Sequence, residues 1–203
     1  MYNFVYLLIN TNKMKKYIIA ASVIFISLVT ISCKDDVKVV PVDAPADTVK
    51  TEIVDTVAAK KLILEEKAKL AKPYNDTEDA QAKITELVKK AGEEGKYVFV
   101  QAGGNWCIWC LRFNDFVQNT PELKQVVDAN YVYYHLNYSK ENKNEAVFDK
   151  YAPEGKKLGF PFFFVLNGKG EVINTIGSQL LESDNGYDVT KVKQMFLDNA
   201  PKK

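Results

Sequence analysis

With 203 residues, 47% of them apolar and 26% charged, the chain has room for one modest globular domain plus flanking segments, but not for two large domains. Its 27 Lys and Arg against 26 Asp and Glu leave a formal net charge of +1, and no interleaved basic and aromatic stripe runs along it, so no nucleic-acid partner is expected. Three cysteines and one histidine are too few for a disulfide-stapled scaffold or a four-ligand zinc site, and each cysteine is read individually.

Lys15 and Lys16 follow Met14 and precede a run from Tyr17 to Ser32 that carries no charge, with Cys33 next. Basic, apolar and small-residue regions in that order are a secretory signal peptide over residues 1–33. The uncharged run of 16 residues is short of the roughly 20 that cross a bilayer as a permanent helix, so it is expected to be cleaved. Thr11-Asn12-Lys13 interrupts an earlier apolar stretch, which makes Met14 the better start. Thr30-Ile31-Ser32-Cys33 resembles the lipobox of bacterial lipoproteins, although Thr30 stands where Leu or Val is usual. That resemblance makes Cys33 a lipid attachment site and implies a stable anchor, since each buried CH₂ adds about 0.8 kcal/mol. Lys34-Asp35-Asp36 resembles the signal that sends some Gram-negative lipoproteins to the outer face of the outer membrane. The expected location is thus the bacterial cell envelope, on the periplasmic side or the outer-membrane surface.

Residues 34 to about 56 hold Pro41, Pro45 and alternating Val and Asp without aromatics or glycine, and read as a linker. Residues 57–72 are rich in helix formers, with Glu65 and Glu66 placed to pair with nearby lysines, and Pro73 stops that helix. The domain is expected over 73–203. Asp76 or Thr77 caps a helix with the apolar stripe Ala80, Ile84, Leu87, Val88 and Ala91, ending at Gly92 or Gly95. Tyr97 to Val100 reads as a buried strand, and Gly103-Gly104-Asn105 as a turn. Helices follow from Cys107 to about Gln118 and from Pro121 to Ala129. Next come a strand from Tyr131 to Leu136 and a helix from Asn144 to Tyr151. Phe160 to Leu166 and Glu171 to Ile176 form a hairpin about Asn167-Gly168-Lys169-Gly170, and Val189 to Asn199 is a terminal helix. This order gives an α/β sandwich with a mixed sheet.

The chemistry is concentrated in Trp106-Cys107-Ile108-Trp109-Cys110. Haem attachment needs a His after the second cysteine, where this chain has Leu111. Structural zinc needs a second ligand pair, which His135 and Cys33 do not supply. A purely structural disulfide closing so small a loop removes little chain entropy. Redox use is the reading that survives. A Cys107 in the first turn of its helix has its thiolate favoured by unpaired N–H groups and the positive helix end, and attacks; Cys110, one turn on, resolves the mixed disulfide.

The pentapeptide after an apolar strand, with Phe160-Pro161 opening the next-to-last strand, resembles the thioredoxin superfamily over roughly residues 74–200. The resemblance implies a thioredoxin-like three-layer sandwich with a mixed four-stranded sheet and flanking helices. It also implies a cis peptide at Phe160-Pro161 facing the cysteines, and substrate main chain pairing beside that proline. With the lipoprotein context, it is most similar to thioredoxin-like thiol-disulfide interchange proteins of the bacterial envelope. Two departures stand out: Gln101 occupies the place of a buried acidic residue that titrates in thioredoxin, and Ile108-Trp109 replaces the usual Gly-Pro. Resolution by Cys110 is then expected to be slower, or to use water or another carboxylate.

Cys107 and Cys110 are therefore the candidate catalytic pair, with Trp106, Phe160 and Pro161 as candidate substrate contacts. Trp109 is a candidate for either packing or partner contact. His135, in a predicted strand without a partner, reads as a core or strand-edge residue. Phe162-Phe163-Phe164 reads as core on both sheet faces. The resulting expectation is a membrane-anchored thiol-disulfide oxidoreductase acting on cysteine-containing envelope proteins. It requires a membrane redox partner and neither organic cofactor nor metal, and its redox direction is open. The rival is a surface-displayed binding module in which the same pair is a permanent disulfide. Metal delivery through the dithiol finds no further ligands in the chain.

Overall fold

The computed structural model describes residues 46–202, with side chains from residue 57. The expected signal peptide, the Met14 start, Cys33 and the Lys34-Asp35-Asp36 stretch lie outside the described residues. Six α-helices and six strands are described, besides two short 3-10 turns: α1 (Ala46–Lys69), α2 (Ala80–Glu94), β1 (Tyr97–Gly103), α3 (Ile108–Asn119), α4 (Pro121–Asn130), β2 (Tyr131–Asn137), α5 (Glu145–Tyr151), β3 (Phe162–Leu166), β4 (Val172–Gly177), β5 (Glu182–Ser183), β6 (Gly186–Tyr187) and α6 (Val189–Asp198). Among the described residues no helix is long and apolar enough to cross a membrane.

The main sheet has the order β2-β1-β3-β4. β1 runs parallel to β2, from Tyr97 beside Tyr131 to Gly103 beside Asn137, and antiparallel to β3, while β3 and β4 form an antiparallel hairpin. Because side chains alternate along a strand, the Phe162-Phe163-Phe164 run divides between the two faces. Phe162 and Phe164 join Val98, Val100 and Ala102 beneath Ile84, Leu87 and Ala91 of α2 and Phe148 of α5. Phe163 and Phe99 face the other way, under Phe113 and Val117 of α3, Leu123 of α4 and Phe196 of α6. Helices thus cover both faces of a four-stranded mixed sheet, as expected. Each such phenylalanine, fully buried, contributes about 1.5–3 kcal/mol over its exposed state.

Local signals set the helix ends. The Asp79 side chain accepts a hydrogen bond from Ala82 N at 3.0 Å and starts α2. The cap is therefore later than Asp76 or Thr77. Tyr134 Oη donates to the Glu78 carboxylate and Asn142 to the Glu78 carbonyl, which fixes the chain beside Asp79. Gly95 ends the helix at φ 66°, a left-handed position that favours glycine, and donates to the Ala91 and Gly92 carbonyls.

Two further features differ from the sequence expectations. α1 begins at Ala46 rather than near residue 57, so helix occupies part of the segment read as linker. Once a turn is nucleated, each added residue gains a backbone hydrogen bond, and helix extends into a stretch whose Val and Thr have modest propensity. The C-terminal half of α1 is also docked on the domain, through Glu66 and Arg112. Lys72 Nζ closes its end by donating to the carbonyls of Lys67 and Leu70. The second difference is the small β5-β6 hairpin between β4 and α6, which places Tyr187 against α3.

Candidate active site

β1 ends at Gly103, and the turn Gly104-Asn105-Trp106 delivers the chain to Cys107, the N-cap of α3. Cys107 has extended backbone angles (φ −91°, ψ 111°), and its Sγ accepts a hydrogen bond from Cys110 N at 3.1 Å. A sulfur in this position occupies the place of a capping oxygen. It meets the unpaired N–H groups and the positive end of a twelve-residue helix, the environment that favours a thiolate. Cys107 pairs with Cys110 as a disulfide, with Cα atoms 5.3 Å apart, inside the range such a bond requires. Their exposures differ: Cys107 is 6% exposed and Cys110 0%. Of the two residues only Cys107 has any exposure to solvent.

The peptide bond Phe160-Pro161 is cis, as the family resemblance implied. The Phe160 carbonyl oxygen lies 3.6 Å from Cys107 Sγ, so the strand-opening proline segment faces the cysteine pair across the helix end. Pro161 is buried and Phe160 half-buried. Trp106 is 49% exposed and packs edge-on against Phe160, with ring centroids 5.6 Å apart. Its indole N–H donates to the Tyr138 carbonyl at 2.6 Å, and Tyr138 in turn stacks on Phe160. A Cβ at Gly104 would run into the Trp106 indole, so glycine lets that ring lie against the turn. Trp106, Phe160 and Pro161 are therefore gathered around Cys107. Trp109 faces elsewhere: it packs on Tyr187, accepts the Tyr187 hydroxyl at its carbonyl, and has the Arg112 guanidinium 5.1 Å above its ring.

Arg112 is held by two hydrogen bonds from its guanidinium to Glu66 of α1, at 2.7 and 2.6 Å. The guanidinium hydrogen bond, ahead of the opposing burial, keeps the Glu66 carboxyl below its usual range, and the same pairing raises Arg112. Lys67 Nζ donates to the Trp106 carbonyl at 2.6 Å. The end of α1 thus touches both flanks of the cysteine pair.

Beneath Cys110 lies a polar group of side chains in an otherwise apolar layer. Gln101, 0% exposed, donates from Nε2 to the Cys110 carbonyl at 2.8 Å and to Tyr74 Oη at 2.6 Å, while its Oε1 accepts from Tyr133 Oη at 2.5 Å. Asn105 secures the Tyr74 backbone, accepting from its N–H at 3.2 Å and donating to its carbonyl at 2.8 Å. Burial pushes the Tyr74 and Tyr133 hydroxyls well above the usual tyrosine range, so both stay protonated. His135 pairs in register with Gln101 and sits between the Tyr74 and Tyr133 rings. Burial lowers its pKa to about 4, and its Nε2 has no hydrogen-bond partner. No carboxylate takes part in this group. Sequence reasoning singled out Gln101 but missed Tyr74, which lies in a loop with no periodicity, and Tyr133, which reads as an ordinary strand residue.

Among the described residues no group of three or more His, Cys, Asp or Glu is placed to hold a metal ion. A family model described as thioredoxin-like matches residues 79–168, which include both cysteines and Pro161. Among solved structures, the chain is similar to a disulphide isomerase from Xylella fastidiosa Temecula1 (19% identity, TM-score 0.54, covering 64% of this chain and 97% of that one). It is also similar to the oxidised C-terminal domain of Neisseria meningitidis DsbD (20% identity, TM-score 0.42, 60% and 96% covered). A third similar structure is a DsbH oxidoreductase (18% identity, TM-score 0.40, 55% and 77% covered). No curated protein matches the sequence.

Proposed function

We propose that this chain, whose domain belongs to the thioredoxin superfamily, is a thiol-disulfide oxidoreductase that exchanges disulfides with cysteines of bacterial envelope proteins while tethered to a membrane through Cys33. The observation that carries the exchange chemistry is the asymmetry of the pair. Cys107 caps a helix N-terminus and keeps a small solvent exposure of 6%, and Cys110 is sealed one turn behind it. The tether and the envelope location rest on the sequence alone, on Lys15, Lys16, the uncharged run to Ser32, and Cys33.

The reduced protein acts in two displacements. The Cys107 thiolate, stabilised by the Cys110 N–H and the helix end, attacks one sulfur of a substrate disulfide. A Cys107–substrate bond forms, the substrate's own S–S bond breaks, and its second sulfur leaves with the electron pair and takes a proton from water. The Cys110 sulfur, after losing its proton to solvent, attacks Cys107 Sγ. The Cys107–Cys110 bond forms, the Cys107–substrate bond breaks and the substrate sulfur first attacked departs as a thiolate, so the substrate disulfide is reduced and the protein dithiol oxidised. Run backwards, the same steps donate a disulfide. The exposed ring of Trp106 and the Phe160-Pro161 edge are the surface on which a substrate chain would lie, and Trp106 offers apolar area with little side-chain entropy to lose.

Cys110→Ser should accumulate mixed disulfides between Cys107 and envelope proteins, resolvable by reductant on non-reducing gels, whereas Cys107→Ser should trap none. Equal trapping by both variants, or none by either, would remove the assignment and favour the binding-module reading, in which the pair is a permanent disulfide.

A further inference from the structure

The exchange reaction requires Cys110 to exist as a thiolate twice, as attacker in one direction and as leaving group in the other. Its sulfur is fully buried among Tyr74, Leu111 and Cys107, where an anion without a hydrogen-bond donor is costly. The hydrogen bonds below it fix which protons of the neighbouring polar groups are already committed. The Cys110 carbonyl can only accept, so the Gln101 group facing it must be the amide nitrogen. The second proton of that nitrogen then goes to Tyr74 Oη, and Tyr133 Oη must donate to the remaining Oε1. Every bond in the chain has one permitted direction. Tyr74 Oη therefore accepts from Gln101, and among the described residues its own proton enters no hydrogen bond. That hydroxyl and the Cys110 sulfur flank one point on β1: a Cβ added to Gly103 would lie 2.5 Å from Cys110 Sγ and 2.9 Å from Tyr74 Oη.

We propose that Tyr74 is the hydrogen-bond donor to the Cys110 sulfur whenever the disulfide is open, oriented for that task by Gln101 and Tyr133. This rests on the exchange reading above and assigns a catalytic residue to it. The role differs from that of a titrating carboxylate. Burial keeps the Tyr74 proton in place at every working pH, so Tyr74 stabilises the anion without taking the Cys110 proton, which leaves to solvent. A neutral donor chain also avoids burying a second negative charge beside the thiolate.

The test uses the reduced full chain in a Cys33→Ser background, so that one dithiol reports, mixed with an aromatic disulfide such as Ellman's reagent. Cys107 attack releases one thionitrobenzoate. Cys110 attack on Cys107 Sγ then closes the protein disulfide and expels the second, while the Cys110 proton goes to solvent. Tyr74→Phe should leave the first phase unchanged and raise the pH midpoint of the second by about one unit, the loss of one hydrogen bond to a charged group. Near neutral pH the second phase should slow about threefold, because tenfold less thiolate is partly offset by the greater nucleophilicity of a more basic sulfur (Brønsted coefficient about 0.4–0.5). Above the new midpoint the variant should be the faster protein, so the two pH profiles cross. Gln101→Met, which keeps the Tyr74 hydroxyl but removes its orienting partner, should shift the midpoint in the same direction by less. A folded Tyr74→Phe with an unmoved midpoint, or one slowed equally at all pH values, would overturn the assignment. Should Tyr74→Phe not fold, an unmoved midpoint in Gln101→Met would do so. A wild-type protein that releases no second thionitrobenzoate would instead overturn the exchange reading itself.

Discussion

Gly103→Ala gives a direct measure of how tightly the cysteine pair is seated. Gly103 is the last residue of β1, and its φ lies outside the left-handed region, so alanine is allowed by the backbone. Fewer unfolded conformations would then stabilise the variant by about 0.4–1 kcal/mol. Against this, the new methyl would lie 2.5 Å from Cys110 Sγ and 2.9 Å from Tyr74 Oη, where ordinary contacts are near 3.5–4 Å. Both neighbours are held: Cys110 by α3 and the disulfide, Tyr74 by Gln101 and Asn105. The overpacking cost should fall toward the upper part of the usual range of about 1–3 kcal/mol, leaving a net loss of about 1–2 kcal/mol. In a domain of this size that is a fall in Tm of roughly 3–8 °C, readable by circular dichroism. The loss should be greater in the oxidised protein, because a free Cys110 side chain rotates away from the methyl and a bonded one does not. A difference of about 1 kcal/mol between the two states makes the reduction potential less negative by roughly 20 mV. An oxidised Tm within a degree of wild type, with an unchanged potential, would refute this description of the packing.

His135 and Glu66 give two further predictions. The folded pKa of His135 is lowered by burial to about 4 from 6.5, so above pH 6.5 the imidazole is neutral in both states and nothing is lost. As pH falls toward 4 the unfolded chain binds a proton that the folded one refuses, and stability drops by about 3 kcal/mol in all, about 2 kcal/mol of it by pH 5. Denaturation midpoints at pH 7 and pH 5 should show this fall in wild type and lack it in His135→Phe. The carboxyl of Glu66 is lowered in the folded state chiefly by its hydrogen bond to Arg112, so its contribution is complete above the unfolded value of 4.5 and disappears as pH falls through the folded one. Both partners are partly exposed, which limits the pair to about 1 kcal/mol. Glu66→Gln should accordingly lower Tm by no more than about 4 °C and speed amide hydrogen exchange in α1; unchanged exchange there would mean that this contact does not dock the helix.

Much of the architecture is legible in the sequence because its signals are local and agree with one another. The spacing of Ala80, Ile84, Leu87 and Ala91 defines the buried face of α2, and the apolar run from Tyr97 continues directly into β1. Phe162-Phe163-Phe164 identifies a strand covered on both sides. The cysteine pair and Phe160-Pro161 are readable as motifs, and the fold brings them within contact across some fifty residues of sequence. What was missed depends on tertiary context. Asp76, Thr77 and Asp79 are all capable caps, and the choice of Asp79 follows from the bonds that Tyr134 and Asn142 make to Glu78. The β5-β6 hairpin has strands of two residues, too short for an alternating pattern, although Asp184-Asn185-Gly186 is a turn signal. Tyr74 is invisible as a site residue because its links to Cys110, side-chain packing and the shared partner Gln101, are spatial and leave no pattern in the sequence.

The reduction potential of Cys107–Cys110 in the full chain, by equilibration against glutathione buffers, separates an exchanging dithiol from a permanent disulfide. Structural disulfides of exported proteins have potentials below about −300 mV, whereas dithiols that exchange in catalysis lie between about −270 and −120 mV. An exchanging Cys107–Cys110 pair should give a single two-electron equilibrium within that second interval, its position giving the direction of electron flow. A potential below about −300 mV, or a pair that does not exchange with the buffer, would contradict the exchange reading.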